Sequence, residues 1–344
     1  MGGRHSREAG LQLWADSTLW SVVGASEALS RLAWGIRLYW KLRNRLIAER
    51  PDLVVLIDAP AIHMRLASVL KKRGIRCLYY FPPSAWSRNA RRLRDIHSRA
   101  YGLIPTFAVN AENYRRLGLE VAYFGHPLVE QCQPTPRAQA LQQLGLPEGR
   151  YGALLPGSRT QEIRLLLPDF WATVQQMQQR HPDLHWLLPT ANEQMDQLIR
   201  QVIGSPPDWL HIFSGQSRTV MSLCEIGLLA SGSATLEAAL LRLPHLICYR
   251  LNRFDYALGR LLCRLGLLKV GHFGLPNLVA DEAIVAEFLQ HQVRPDLLVP
   301  ALERLLGEGR EAALAGLEKV RPGLGQGQAV VPRIAAHIAE QAQL

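Results

Sequence analysis

The sequence predicts an α/β protein of two doubly wound, Rossmann-like domains facing a cleft, and three observations lead there. Continuous apolar runs such as 53–57 and 226–230 recur along the chain, as parallel strands buried on both faces require. Stretches of helical period separate these runs, giving strand–helix alternation. A tract rich in Gln, Pro and Gly, residues 133–150, divides two such alternating series. The expected organisation is an N-terminal domain over 1–132, a linker over 133–150, a C-terminal domain over 151–310 and a helical segment over 311–344.

In chain order, residues 16–50 carry a helical pattern that Pro51 ends. The run 53–57 closes on Asp58 and reads as a buried strand. Residues 62–73 form a helix with Gly74 as its C-cap. Residues 77–81, 103–109 and 121–124 are further strands. After the linker, strands at 152–155, 185–189, 210–213, 226–230 and 245–249 alternate with helices at 161–180, 192–203, 218–224 and 234–241. Gly274–Leu278 is expected to be a loop, with Glu287 and Gln290 on a helix. Helices at 296–306 and 328–342 close the chain.

Composition narrows the function classes. The chain has 344 residues and a formal charge of +10, from 39 Lys+Arg against 29 Asp+Glu. Such an excess favours an anionic partner, although an arginine-rich proteome produces the same number. The sequence carries no recognisable nucleic-acid-binding motif, so nucleic acid is not expected. The five cysteines form no C-x-x-C pair and, with eleven scattered histidines, predict no metal site. No secretory signal is evident, and no apolar run reaches the ~18–20 residues of a spanning helix. The expected place is the cytosol, with membrane contact at a surface.

Two turns carry the chemistry. In Leu154-Leu155-Pro156-Gly157-Ser158-Arg159 a strand leads into a helix. Gly157 permits close backbone approach, the helix start supplies free N–H groups, and Arg159 adds a permanently charged fork for phosphate oxygens. Glu162 can cap the helix or hold the arginine. Ser231-Gly232-Ser233-Ala234-Thr235-Leu236-Glu237 repeats the device, and Glu237 is placed to take ribose hydroxyls. Each turn alone is also an ordinary strand-to-helix connection; two in one domain favour a diphosphate. Neither follows the Walker spacing, and no well-placed G-x-G-x-x-G supports a dinucleotide. Asn277 offers a donor and an acceptor for sugar or phosphate. His126, in Gly125-His126-Pro127-Leu128, is a phosphate contact or a domain-junction residue.

These segments, with Ile57-Asp58-Ala59-Pro60 and Leu275-Pro276-Asn277, occur in the order found in lipid-A-disaccharide synthases, and the sequence resembles that family from about Gly2 to about Leu306. The resemblance implies a GT-B glycosyltransferase fold and an inverting transfer. A UDP-linked diacylglucosamine is joined to diacylglucosamine 1-phosphate and UDP is released, with no cofactor and no metal. It implies nucleotide-sugar contacts at Gly157, Ser158, Arg159, Glu162, Gln216, Ser231, Gly232, Ser233, Thr235, Glu237, Asn277, Glu287 and Gln290. The catalytic candidates are Asp58, His63, Arg159 and Asn277, with Gly125 and His126 at the domain junction. The implied partners are a UDP-sugar donor, an acylated glucosamine phosphate acceptor and an anionic membrane surface, with a homodimer left open. The alternatives are a GT-B enzyme with another UDP-sugar or acceptor, and a non-catalytic UDP-sugar-binding relative.

The sequence departs from the family pattern in three places. The family's opening strand and G-E-x-S-G-D loop have no counterpart, so the start is expected to be internal to a longer gene or to mark a shortened relative. Where the family reads I-D-A-P-D-F-N, this chain has Ala61-Ile62-His63, which leaves Asp58 or His63 to take the acceptor's proton. Pro82-Pro83-Ser84-Ala85-Trp86-Ser87-Arg88 replaces the usual S-P-S-x-W-A-W and alters the acceptor-side wall. For the membrane, Trp20, Val22 and Val23 lie near Arg37, Lys41, Arg43 and Arg45, and residues 253–269 are similarly apolar and basic. Such stretches suit the inner face of the cytoplasmic membrane, or equally core-facing helices with solvated arginine rims.

Overall fold

A computed structural model describes residues 2–15, 32–83, 89–264, 271–325 and 328–343. Trp20, Val22 and Val23 lie outside the described residues, as do 84–88 and 265–270. The chain forms two compact units, 1–38 with 251–269 and 39–250 with 270–344. The first contains a short helix, Arg4–Glu8, and the helix Arg253–Arg264. Asn252 begins the latter by accepting from the backbone N–H of Asp255 and donating to its carboxylate, both at 2.8 Å. The helix Leu32–Glu49 continues from the first unit into the second. Among the described residues, no helix is long and apolar enough to cross a membrane.

The second unit holds two parallel sheets. Strands β1 (Val54–Ile57), β2 (Cys77–Tyr80) and β3 (Gly102–Ile104) form the smaller, in the order β1-β2-β3. Leu66 and Leu70 of the helix Pro60–Lys72, and Leu93 and Ile96 of the helix Ala90–Arg99, are buried beside it. The larger sheet contains β4 (Arg150–Leu155), β5 (Leu184–Thr190), β6 (Leu210–Ser214), β7 (Ile226–Ala230), β8 (His245–Tyr249) and β9 (Glu287–Leu289). Its spatial order is β6-β5-β4-β7-β8-β9.

Successive side chains of the larger sheet feed two cores, which is why its strands read as unbroken apolar runs. Leu154, Trp186, Leu188, Leu228 and Leu246 pack with the helices Thr160–Arg180, Glu193–Ile203 and Pro295–Leu306. Tyr151, Ala153, Leu155, Leu187, Leu229 and Ile247 pack with the helices Arg137–Leu144, Ser217–Leu223 and Ser233–Leu240. Trp186 is fully buried, and a Cβ on Gly152 would meet its ring at 3.0 Å, so a larger residue there would have to displace the indole.

Several elements differ from expectation. β3 stops at Ile104 because Pro105 lacks the N–H needed to extend a ladder, and Val109 lies in the helix Ala108–Arg115. Residues 121–124 are not a strand: Ala122 N–H donates to Leu103, but no ladder continues. The expected loop after Gly274 is the helix Leu275–Ala280, with Pro276 in its first turn. Glu287 lies in β9 and Gln290 in the short 3₁₀ turn Gln290–Gln292, not on a helix. Beyond Leu306 the segment expected to be helical holds three helices, Arg310–Glu318, Val320–Leu324 and Val330–Ala342. This last helix returns to the smaller sheet's side. Glu130 caps it by accepting from Val330 N–H and Val331 N–H, and Arg76 donates to Gln341 at 3.2 Å.

Candidate functional site

The larger sheet runs outward in both directions from its centre. β4 is followed by β5 and β6 on one side, and β7 by β8 and β9 on the other. β4 and β7 are neighbours, with Leu155 opposite Leu229, so the crevice where strand order reverses opens beyond their carboxyl ends. The two glycine-containing turns leave these two strands, which brings them to the same crevice.

In the first turn Gly157 has φ +122°, in the left-handed range that favours glycine. Glu162 folds back beneath it. Its carboxylate accepts from Ser158 N–H at 3.1 Å and pairs with Arg159 at 2.7 Å. Arg159 is the N-cap of the helix Thr160–Arg180 and remains 41% exposed, so the guanidinium is both anchored and open to ligand. A Cβ on Gly157 would meet the Glu162 Cβ and Oε2 at 2.6 Å. Gly157→Ala is therefore expected to cost about 1–3 kcal/mol of stability, which denaturant titration checks.

In the second turn Ser231 N–H donates to Cys248, and Ser231 Oγ donates to Phe273 at 2.9 Å. Gly232 is the N-cap of the helix Ser233–Leu240, leaving that helix's first N–H groups directed at the crevice. Thr235 is fully buried and its hydroxyl donates to Gly232 at 2.7 Å, so it shapes the turn from behind. Glu237 pairs with Arg218 at 2.7 Å, and Arg218 also donates to the Gln131 side chain at 3.1 Å.

Asn277 is 1% exposed, and its amide is held by Val285 on both sides and by Glu287 at 2.6 Å. Glu287 also accepts from the N–H groups of Phe273 and Gly274, both at 2.9 Å. The pair fixes the start of the helix Leu275–Ala280. Gln216 (φ +60°) caps the helix Ser217–Leu223 after β6, and Gln290 (φ +55°) follows β9 with its carbonyl accepting from Arg250 at 3.2 Å. Both stand at the carboxyl end of the sheet, toward its opposite edges.

On the other wall, β1 ends in two consecutive left-handed residues, Asp58 (φ +49°) and Ala59 (φ +46°). That geometry is strained for residues with a Cβ, and two bonds hold it. Tyr79 Oη donates to the Asp58 carbonyl at 2.9 Å, and His63 Nδ1 donates to the same oxygen at 2.8 Å. Burial lowers the His63 pKa, its bonds to the backbone opposing this in part. Asp58 lines a cavity of about 750 Å³ together with Phe81, Phe107, His126, Ser233 and Glu237, among others; His63 does not. His126 is buried between the rings of Phe81 and Phe107, and burial pushes its pKa down to about 4, so it is neutral near pH 7. Its Nδ1 accepts from Leu128 N–H, and its backbone N–H donates to the Leu324 carbonyl. Gly125 (φ +101°) lies against Leu324 and Gly325.

One cavity thus gathers Asp58 and His126 with Ser233 and Glu237, while Gly157–Glu162 approach from the neighbouring strand end. The sequence did not single out Arg92, Thr106 and Asn110, which line the same cavity, or Arg218. A basic residue just after the Gly215-Gln216 turn was the one available signal for Arg218. Among the described residues, no group of His, Cys, Asp or Glu is arranged to hold a metal ion.

Comparison with known proteins adds to this geometry. The model of the lipid-A-disaccharide synthetase family matches residues 1–338. The lipid-A-disaccharide synthase of Geobacter sulfurreducens is 33% identical over 331 residues, covering 95% of this chain and 85% of that protein. The Xanthomonas campestris pv. campestris synthase is 34% identical over 307 residues, covering 88% and 69%. This chain belongs to the lipid-A-disaccharide synthase family. Its fold is of the GT-B type. The UDP-GlcNAc 2-epimerase of Neisseria meningitidis, solved with UDP-GlcNAc bound, superposes with a TM-score of 0.62 at 14% identity, covering 97% of this chain and 87% of that one. In this synthase-family chain Asp58, at the end of β1, and Ser233 and Glu237, after β7, line one cavity.

Proposed function

We propose that this chain transfers a diacylglucosamine unit from UDP to diacylglucosamine 1-phosphate, inverting the anomeric centre and releasing UDP, as a step of lipid A biosynthesis. The observation that carries this reading is the placement of two anion-binding turns on adjacent strands at the reversal point, beside a cavity that also contains Asp58. The diphosphate lies across Gly157–Arg159 and the N-terminus of the helix Ser233–Leu240. Glu237, steadied by Arg218, accepts from the ribose hydroxyls.

Asp58 accepts the proton of the acceptor hydroxyl, whose oxygen attacks the anomeric carbon from the side away from the diphosphate. The bond from that carbon to the diphosphate oxygen breaks, and the electron pair leaves with UDP. Backbone N–H groups and Arg159 stabilise the charge that grows there, a role that needs no metal. Asp58 suits the part because it lines the cavity, whereas His63 does not and spends Nδ1 on holding the Asp58 turn. Asn277 and Glu287 serve by fixing the helix whose Leu275 lines the cavity.

The acylated substrates place the enzyme on the inner face of the cytoplasmic membrane. Trp40 supports this: it is half-exposed, with the Arg43 guanidinium 5.0 Å over its ring and Lys41 exposed beside it, a set suited to an anionic surface.

A nucleotide panel tests the donor side. UDP is expected to bind in calorimetry without added metal, and Glu237→Gln to weaken it by about 3- to 30-fold. Equal binding of UDP by wild type and by Glu237→Gln would remove Glu237 from the ribose.

A further inference from the structure

The cavity that contains Asp58 faces an electrostatic problem. An acceptor carrying a phosphate must enter a space lined by two carboxylates, Asp58 and Glu237. Glu237 is matched by Arg218. Asp58 has no such partner among the described residues. A phosphate needs its own cation there, and Arg92 is the one Lys or Arg among the described residues lining the cavity.

Arg92 is suitably prepared. Asn89 caps the helix Ala90–Arg99 by accepting from Arg92 N–H at 3.2 Å, and Leu93 and Ile96 pin the helix by burial. The exposed guanidinium donates once to the Pro83 carbonyl, at 3.3 Å, and pairs with no carboxylate among the described residues. The remaining donors of the fork face no competing acid, as bidentate recognition of a phosphate requires. Arg91 and Arg94 lie on the same helix but do not line the cavity, so the placement is particular to Arg92. The buried polar side chains Thr106 and Asn110 lie on the same wall, where sugar hydroxyls need donors and acceptors. At about 750 Å³ the cavity has the size of a small-molecule site.

We propose that Arg92 recognises the phosphate of the acceptor and selects a phosphorylated over an unphosphorylated acceptor sugar. This rests on the glycosyl-transfer reading above. The test compares wild type, Arg92→Gln and Arg92→Lys in the full-length chain, with diacylglucosamine 1-phosphate and with the same acylated sugar lacking phosphate. Arg92→Gln is expected to raise KM for the phosphorylated acceptor by roughly 10- to 100-fold. KM for the donor stays as in wild type, the preference for the phosphorylated acceptor disappears, and Arg92→Lys recovers part of it. An unchanged acceptor KM and an unchanged preference in Arg92→Gln overturn the proposal.

Binding keeps the question separate from turnover. Should wild type release no UDP, the transfer reading fails, and Arg92 is judged by titrating glucosamine 1-phosphate, glucosamine and inorganic phosphate by NMR. Weaker binding of the sugar phosphate alone in Arg92→Gln supports the assignment. Equal binding by both proteins overturns it, as does inorganic phosphate binding as tightly as the sugar phosphate, which marks a general anion seat.

Discussion

Arg159→Ala is expected to lower kcat by about 10²- to 10³-fold, the cost of removing one preorganised donor from developing charge. The fold should survive the change. The helix that Arg159 caps is anchored by Ile163, Leu166, Leu167 and Phe170, all buried, while the arginine itself is partly open to solvent. UDP binding should weaken less than kcat falls, because the charge on the leaving phosphate is largest in the transition state. Arg159→Lys should recover little, since a point charge cannot replace a fork already aligned by Glu162. Steady-state UDP release with calorimetry separates these effects, and full activity in Arg159→Ala would exclude the residue from the mechanism.

Asp58→Asn is expected to lower kcat by about 10²- to 10⁴-fold, the span for loss of a general base. The substitution is chosen because asparagine tolerates the left-handed conformation that β1 imposes there. The bonds from Tyr79 and His63 go to the backbone carbonyl and are kept. UDP affinity should not change, since Asp58 lies on the opposite wall from the diphosphate turns. His63→Ala should be milder, because it loosens the turn without removing the carboxylate. Were His63→Ala to abolish turnover while Asp58→Asn retained it, the two roles would be exchanged.

Much of the larger sheet was legible in the sequence for a physical reason. β4, β5, β7 and β8 are covered on both faces, so most positions along them are apolar. The turns at Gly157 and Gly232 were legible because each places a glycine between a buried strand and the helix that follows it. Edges and partners were harder. β9 is short and mixes Glu287 with Phe288 and Leu289, so periodicity alone gives no strand. The run at 121–124 is apolar and strand-like, yet Ala122 makes one bond to Leu103 and the ladder goes no further.

The site was legible as two turns, not as one cavity. Asp58 and His63 are five positions apart and looked interchangeable. The two left-handed residues after β1 separate them, directing one to the cavity and the other behind the turn. Arg92 lies among several arginines on one helix, and only the three-dimensional wall distinguishes it. Likewise no spacing rule links Arg218 to Glu237, which meet because the helices bearing them pack together beneath the crevice.

An inverting transfer by the crevice and the Asp58 wall together is open to one direct test. The direct measurement incubates the protein with UDP-diacylglucosamine and diacylglucosamine 1-phosphate, without metal, and follows both products by mass spectrometry and proton NMR. One UDP per disaccharide is expected, with the new glycosidic bond in the β configuration. A disaccharide of retained α configuration, or UDP formed only with water as acceptor, would contradict it.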